Sequence, residues 1–392
     1  MTAGGKWAAG LAAALLAWAS LAPWELRAQG APAATPATAP SPGDYLALQR
    51  RYQEIYRQVR PAVVRIHALR KDKPDDKVST DYTCTGFFIN REGMILTTNA
   101  DLLAGAERVV VEHEGLPFAA EVVAVDSVSN VALVRALRLP KDFVVLPLTE
   151  DAGLPPIASQ LFAVTCKMDE EPGPSTGLLL GFNTDFGNKH LPTLHLRTSL
   201  SYDGGEGGSP VFDLTGRLVG VMLASLPETR SSLVLPTAAV ERVREELAGS
   251  GHVSYGRFGF VEQEFKEADT GPQVLVTSVE YGGPAAVADL RTGDQLLAIG
   301  SRTITRDSDL RQAWFFSQPG QVVTVRVRRE GKDLDLPLKV GQMTSETAAI
   351  PKPAPAATPA PDSSNTTATP PPDTSAQPPP FSNVPVAIGP RP

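Results

Sequence analysis

Gly205-Glu206-Gly207-Gly208-Ser209-Pro210-Val211-Phe212-Asp213-Leu214-Thr215-Gly216-Arg217-Leu218-Val219-Gly220-Val221 is a glycine-dense turn that feeds two short apolar runs, broken once between Asp213 and Gly216. Runs of this length, rich in Val, Phe and Leu and bounded by Gly, Pro and Asp, read as β-strands. Outward from this stretch the pattern repeats at residues 63–66, 86–89 and 109–111 and continues through 218–222. Residues 62–235 therefore predict an all-β barrel or sandwich.

Helices bracket this region. From Asp44, read as an N-cap, the apolar residues Leu48, Tyr52, Ile55, Tyr56 and Val59 recur at helical spacing until Pro61 ends the pattern. A closing helix over 237–247 runs into Gly249-Ser250-Gly251, which reads as a hinge. A second domain follows. In it Val323, Val325 and Val327 alternate with Thr324, Arg326 and Arg328, and Glu330-Gly331-Lys332 turns the chain into Leu334, Leu336 and Leu338, a hairpin. A strand over 296–299 precedes a helix over 307–317 that carries Leu310, Ala313, Trp314 and Phe315.

The ends are different. Lys6 precedes an apolar run over 7–24, with small-residue cleavage options after Ala19 or Ala28. Residues 1–28 read as a secretory signal peptide, and the run is also nearly long enough for an uncleaved membrane anchor. Residues 29–43 are a flexible Ala/Pro linker, 44–249 the first domain, 256–341 the second, and 342–392 a Pro-rich tail expected to be disordered. A net charge of -7 without a Lys/Arg block argues against a nucleic-acid surface. Export would permit Cys84 and Cys166 to pair, and two buried thiols fit the sequence equally well. Neither cysteine, nor His67, His113, His190, His195 or His252, stands in a metal-ligand spacing, so no metal or cofactor is expected.

Cys84-Thr85-Gly86-Phe87-Phe88-Ile89, Gly93-Met94-Ile95-Leu96-Thr97-Thr98-Asn99, Gly216-Arg217-Leu218-Val219-Gly220-Val221 and Leu233-Val234-Leu235-Pro236 together resemble HtrA-type trypsin-like serine proteases. The resemblance implies a mainly β fold: a trypsin-like double β-barrel followed by an α+β PDZ domain, with disordered Pro/Ala-rich ends. It also implies a Ser-His-Asp triad, and this sequence departs from it three times. Where the family has its general-base histidine stands Ala100, where it has the orienting aspartate stands Asn130, and the nucleophile position is Gly207. The flanking motifs hold the register at each place, so the chain reads as a pseudoprotease rather than an enzyme. The alternative is an active serine endopeptidase with Ser209 as displaced nucleophile and His190 or His195 as its base.

Gly283-Pro284-Ala285-Ala286 and Leu290-Arg291-Thr292-Gly293-Asp294-Gln295-Leu296-Leu297-Ala298-Ile299 are similar to the PDZ domains of the same proteins. By that resemblance Arg257-Phe258-Gly259-Phe260 is the carboxylate-binding loop, and Leu310 and Trp314 line the far wall of a peptide groove. The expected partners are peptide C-termini or unfolded envelope proteins, with self-assembly or assembly with active relatives as further options. The expected role is scaffold, chaperone or regulator in the periplasm or another extracytoplasmic space.

Overall fold

A computed structural model describes residues 41–343, apart from 74–76, 149–152, 169, 187–188, 202–204 and 268–270. The expected export segment, and the tail from residue 344 on, lie outside the described residues. Among those described, no helix is long and apolar enough to cross a membrane.

Helix α1 (Pro42–Val59) starts three residues before the expected position. Asp44 is not its N-cap; it sits inside the first turn and accepts the backbone N–H of Ser41 at 2.7 Å. The helix lays Ile55 and Val59 into the core. The first barrel closes from β1 (Val63–Arg70), β2 (Thr80–Phe88), β3 (Met94–Thr98), β4 (Arg108–His113), β5 (Leu116–Asp126) and β6 (Val131–Ala136), in the order β1-β2-β3-β6-β5-β4. Between β3 and β4 lies a short helix, α2 (Ala100–Ala104), that the residue pattern did not announce. The second barrel closes from β7 (Gln160–Thr165), β8 (Gly173–Phe186), β9 (Lys189–Thr198), β10 (Pro210–Asp213), β11 (Leu218–Leu226) and β12 (Ser231–Pro236), in the order β10-β11-β12-β9-β8-β7. Closure removes free strand edges from both sheets.

Each barrel keeps its own apolar interior, Ile66, Phe88 and Val134 in the first, Leu161, Val211 and Val234 in the second. A third cluster cements the two: Phe87, Leu96 and Leu133 meet Phe162, Val164 and Phe212, with Val240 and Val243 of α3 (Thr237–Ser250) completing it. Emptying a site such as Phe162, which is 1 % exposed, would cost about 3–5 kcal/mol. Helix α3 passes through Gly249 and stops at Gly251, whose φ of 78° supplies the left-handed C-cap.

The remaining elements are β13 (Gly256–Arg257), β14 (Phe260–Glu267), β15 (Gly271–Val279), α4 (Pro284–Val287), β16 (Gln295–Ile299), β17 (Arg302–Thr303), α5 (Asp307–Phe316), β18 (Val322–Arg329), β19 (Lys332–Lys339) and β20 (Gly341–Gln342). Their main sheet runs β14-β15-β16-β18-β19, which leaves β14 at an edge with β15 as its sole strand partner among the described residues. The β18–β19 hairpin turns at Glu330 (φ 51°) and Gly331 (φ 75°), the geometry that a two-residue turn between twisted strands requires. Pairing of Gly256 with Gln342 carries ordered structure past residue 341. Tyr255 ties this domain to the first barrel: its hydroxyl donates to Asp126 at 2.6 Å and its ring stacks on Trp314.

Candidate functional site

Two glycine-centred turns stand out. The first, Gly205 to Ser209, lies on the seam between the barrels. Thr85, within β2, braces it, donating from its hydroxyl to the Gly205 carbonyl at 2.7 Å and from its N–H to the Gly207 carbonyl at 2.8 Å. The Thr85 hydroxyl also accepts the N–H of Cys166 at 3.0 Å. Gly208 donates to the Met222 carbonyl, and Met222 donates to that of Ser209. Gly205 (φ 92°) and Gly208 (φ 90°) adopt backbone that a side chain would strain. A Cβ on Gly208 would sit 2.0 Å from the Thr85 carbonyl oxygen and 2.5 Å from Thr97 Oγ1.

Gly207 belongs to this turn, and Ala100, just past the end of β3, meets Asn130, just before β6. Asn130, at φ 60°, turns its Oδ1 to the N–H of Ala100 at 2.8 Å, so the two positions that would carry base and orienting acid meet through a backbone hydrogen bond. Ala100 is fully buried. Neither side chain can take up or release a proton near neutral pH, and Gly207 carries no nucleophile.

Ser209 is fully buried, and its hydroxyl donates to the Glu206 carbonyl at 2.6 Å. His195 on β9 is also fully buried, with Nδ1 at 2.8 Å from the Thr193 carbonyl. Its Nε2 has no hydrogen-bond partner among the described residues, so it does not reach Ser209. Burial pushes the His195 imidazole down to about 4. The backbone of His190 pairs with Asp185 near the β8–β9 turn. The structure therefore does not join the Ser209 hydroxyl to His195 as nucleophile and base.

The other histidines also have defined places. His67 lies within β1 rather than after it, with Nδ1 3.1 Å from Asp81 and Nε2 3.4 Å from Glu112. His113 is buried at the end of β4 with Nε2 2.9 Å from the Pro61 carbonyl. Cys84 and Cys166 are free thiols in different apolar clusters, and burial pushes them up to about 11 and about 12. Among the described residues no group of side chains is arranged to hold a metal.

Residue chemistry alone did not mark two further members of the seam. Glu206, fully buried, faces Lys167 at 3.6 Å, and Thr85 is the brace described above. A buried carboxylate needs such a cation, because its unpaired charge would cost several kcal/mol.

The second turn is Arg257-Phe258-Gly259-Phe260, between β13 and the edge strand β14. Gly259 has φ 80°, and its carbonyl accepts the N–H of Glu280 at 3.0 Å. The Glu280 carboxylate takes an ion pair from Arg257. Phe258 is buried, Phe260 is partly buried, and their rings stack with centroids 5.9 Å apart. Leu310 of α5 packs in the same core as Phe258. Trp314 packs against that core too, but its ring lies on Tyr255 and its indole N–H donates to the Gly256 carbonyl, so it anchors the loop's approach. The arrangement joins a loop glycine, an apolar floor and a strand edge with no further strand partner among the described residues. Such an edge can add an extended peptide as a further strand.

Sequence comparisons divide the chain in the same way. The trypsin-like peptidase domain family matches residues 84–221, and the PDZ domain family matches residues 258–340. A "Probable periplasmic serine endoprotease DegP-like" of Pseudomonas fulva is 27% identical over 277 residues, covering 67% of this chain and 56% of that protein. A protein of the same name from Hahella chejuensis is 25% identical over 291 residues, covering 71% of this chain and 60% of that one. The chain thus spans little more than half the length of these relatives. Among solved structures, "HtrA-type protease AlgW with tripeptide" superposes with a TM-score of 0.62 at 19% identity, over 75% of this chain and 97% of that one. The serine endoprotease from Yersinia pestis superposes with a TM-score of 0.54 at 22% identity, over 75% of this chain and 98% of that one.

Proposed function

Because the chain is HtrA-like, a trypsin-like peptidase domain followed by a PDZ domain, we propose that it is a non-catalytic member of that family, exported from the cytoplasm, that captures peptide C-termini of envelope proteins. It acts there as scaffold, chaperone or regulator. One observation supports the reading: Asn130 is bonded to the backbone of Ala100, and Gly207 lies in a glycine turn braced by Thr85, so the three positions expected for base, orienting acid and nucleophile carry no such chemistry. Loss of a whole triad lowers kcat by about a million-fold in a well-studied serine protease. Burial of the Ser209 hydroxyl and its bond to Glu206 weigh against a displaced nucleophile.

Binding is supported by the second turn. Backbone N–H groups of Phe258, Gly259 and Phe260 would receive the terminal carboxylate, and β14 would pair with the peptide. Structural relatives bear the descriptions "with decapeptide" and "with tripeptide", and sequence relatives are named periplasmic, which supports both the ligand class and the compartment.

The test uses the full chain in two assays. Casein should remain uncut above a buffer control, and a fluorophosphonate probe should label no serine. A peptide with a free apolar C-terminus should bind at least about tenfold more tightly than its amidated twin, since each charge-assisted hydrogen bond contributes about 1.5–3 kcal/mol. Casein cleavage lost on Ser209→Ala would overturn the non-catalytic reading, and equal binding of both peptides would overturn carboxylate capture.

A further inference from the structure

The groove beside β14 is not uniformly apolar. Along the strand, Val261, Gln263 and Phe265 are exposed, whereas Phe260, Glu262 and Glu264 are partly covered. The covered set faces α5. Glu264 Oε2 accepts the Asp307 N–H at 3.0 Å, and Glu262, two residues before it on the same face, feels the Asp307 charge. Two carboxyl groups, one from the strand and one from the helix, therefore sense each other's charge.

Local cations do not balance them. Glu264 has Lys266 at 3.3 Å. Arg311 donates from Nε to Asp307 at 2.8 Å, but it also lies 3.7 Å from Asp185 of β8. Arg306, at the N-terminus of α5, lines a shallow hollow with Glu264 and Lys266. Glu262 and Asp307 are left sharing one guanidinium with a third carboxylate. Burial, then the Asp307 charge, pushes Glu262 up to about 7, as expected for a carboxyl short of a cation.

A peptide laid antiparallel on β14, its carboxylate at the Phe258 to Phe260 loop, advances along the strand residue for residue. Strand side chains alternate, so its last residue and the one two before it face the same way, toward α5. The last side chain meets Phe258, Phe260 and Leu310. The one two before it comes level with Glu262 and Asp307.

We propose that the carboxyl pair Glu262–Asp307 makes this groove selective for peptides with a lysine or arginine at the third residue from the C-terminus. The inference rests on the peptide-capture reading above and adds to it the identity of an internal residue. A cation there replaces the proton on Glu262 with a permanent positive charge, whereas an acidic side chain brings a third negative charge into a partly desolvated gap.

The experiment uses the full chain and three labelled decapeptides identical except for their last three residues, Lys-Ala-Val, Ala-Ala-Val and Glu-Ala-Val, each also in amidated form. Fluorescence anisotropy at pH 8 should show the Lys peptide binding at least about tenfold more tightly than the Glu peptide, with the Ala peptide between. Glu262→Gln should bring the Lys/Glu ratio below about threefold while leaving the effect of amidation intact. Lowering the pH to 6 should shrink the ratio in the unmodified chain, because Glu262 then keeps its proton. Equal affinity for Lys and Glu peptides with amidation still harmful, or a ratio that survives both Glu262→Gln and Asp307→Asn, overturns this selectivity alone. Binding indifferent to amidation, or no binding, overturns the capture reading and the selectivity with it.

Discussion

The turn at Gly205 to Ser209 and the loop at Arg257 to Phe260 solve the same backbone problem in the same way, with glycines at φ 92°, 90° and 80°. They differ in what surrounds them. The first is filled from within: Glu206 and Ser209 are fully buried, and Thr85 draws in the Gly205 and Gly207 carbonyls. The second borders an edge strand whose outer side, among the described residues, no further strand covers. A glycine turn conserves a shape, and its neighbours decide whether that shape is an internal joint or a receptor.

The contrast can be broken at Gly208. A methyl group there meets the Thr85 carbonyl at 2.0 Å, a backbone atom that cannot step aside, in a positive-φ conformation. Overpacking and backbone strain each cost about 1–3 kcal/mol, so Gly208→Ala should lower stability by about 3 kcal/mol or more in urea unfolding. A change under about 0.5 kcal/mol would mean the turn is not a rigid joint.

The two regions should also respond to pH with opposite sign. His195 is held neutral, its folded pKa lowered to about 4 from 6.5, so between those values the unfolded chain binds the extra proton and stability rises with pH. The stability present above pH 6.5 is lost as pH falls toward 4, on the order of 2–3 kcal/mol. Glu262 has its folded pKa raised to about 7 from 4.5, so between those values the folded chain holds the extra proton and stability falls as pH rises. Differential unfolding of His195→Leu and Glu262→Gln against the parent should show the first losing the rising slope and the second the falling one. Slopes of the same sign in both would refute the assignment.

The smallest effect sharpens the comparison. A Cβ on Gly259 would meet Pro284 Cδ at 2.8 Å, a softer clash than at Gly208. Gly259→Ala should therefore cost about 1–2 kcal/mol in stability while weakening a free-carboxylate peptide about tenfold. If it cost as much stability as Gly208→Ala and left binding unchanged, the loop too would be an internal joint.

Legibility followed chain distance. The β18–β19 hairpin was readable because Glu330-Gly331 and the alternating valines are local signals, as were α1 and α5. Helix α2 was not, since Ala100-Asp101-Leu102-Leu103-Ala104 is too short for periodicity to register. Ala100, Asn130 and Gly207 could be singled out in the sequence because flanking motifs hold their register. The brace from Thr85 to Gly205 spans 120 residues, and the Tyr255 bond to Asp126 spans 129, with no local pattern to reveal either.

By itself the sequence determined the order of the two domains, their β character and the residue types at positions 100, 130 and 207, because these depend on periodicity, turn chemistry and the identity of side chains. Only the tertiary structure decided that Ser209 is buried and bonded to Glu206, that Trp314 anchors Tyr255 and Gly256, and that Asp307 of α5 comes up against the acidic face of β14. Hydrogen bonding and proton affinity depend on groups brought within about 3 Å and on the water removed around them. Those quantities arise only when distant segments pack together.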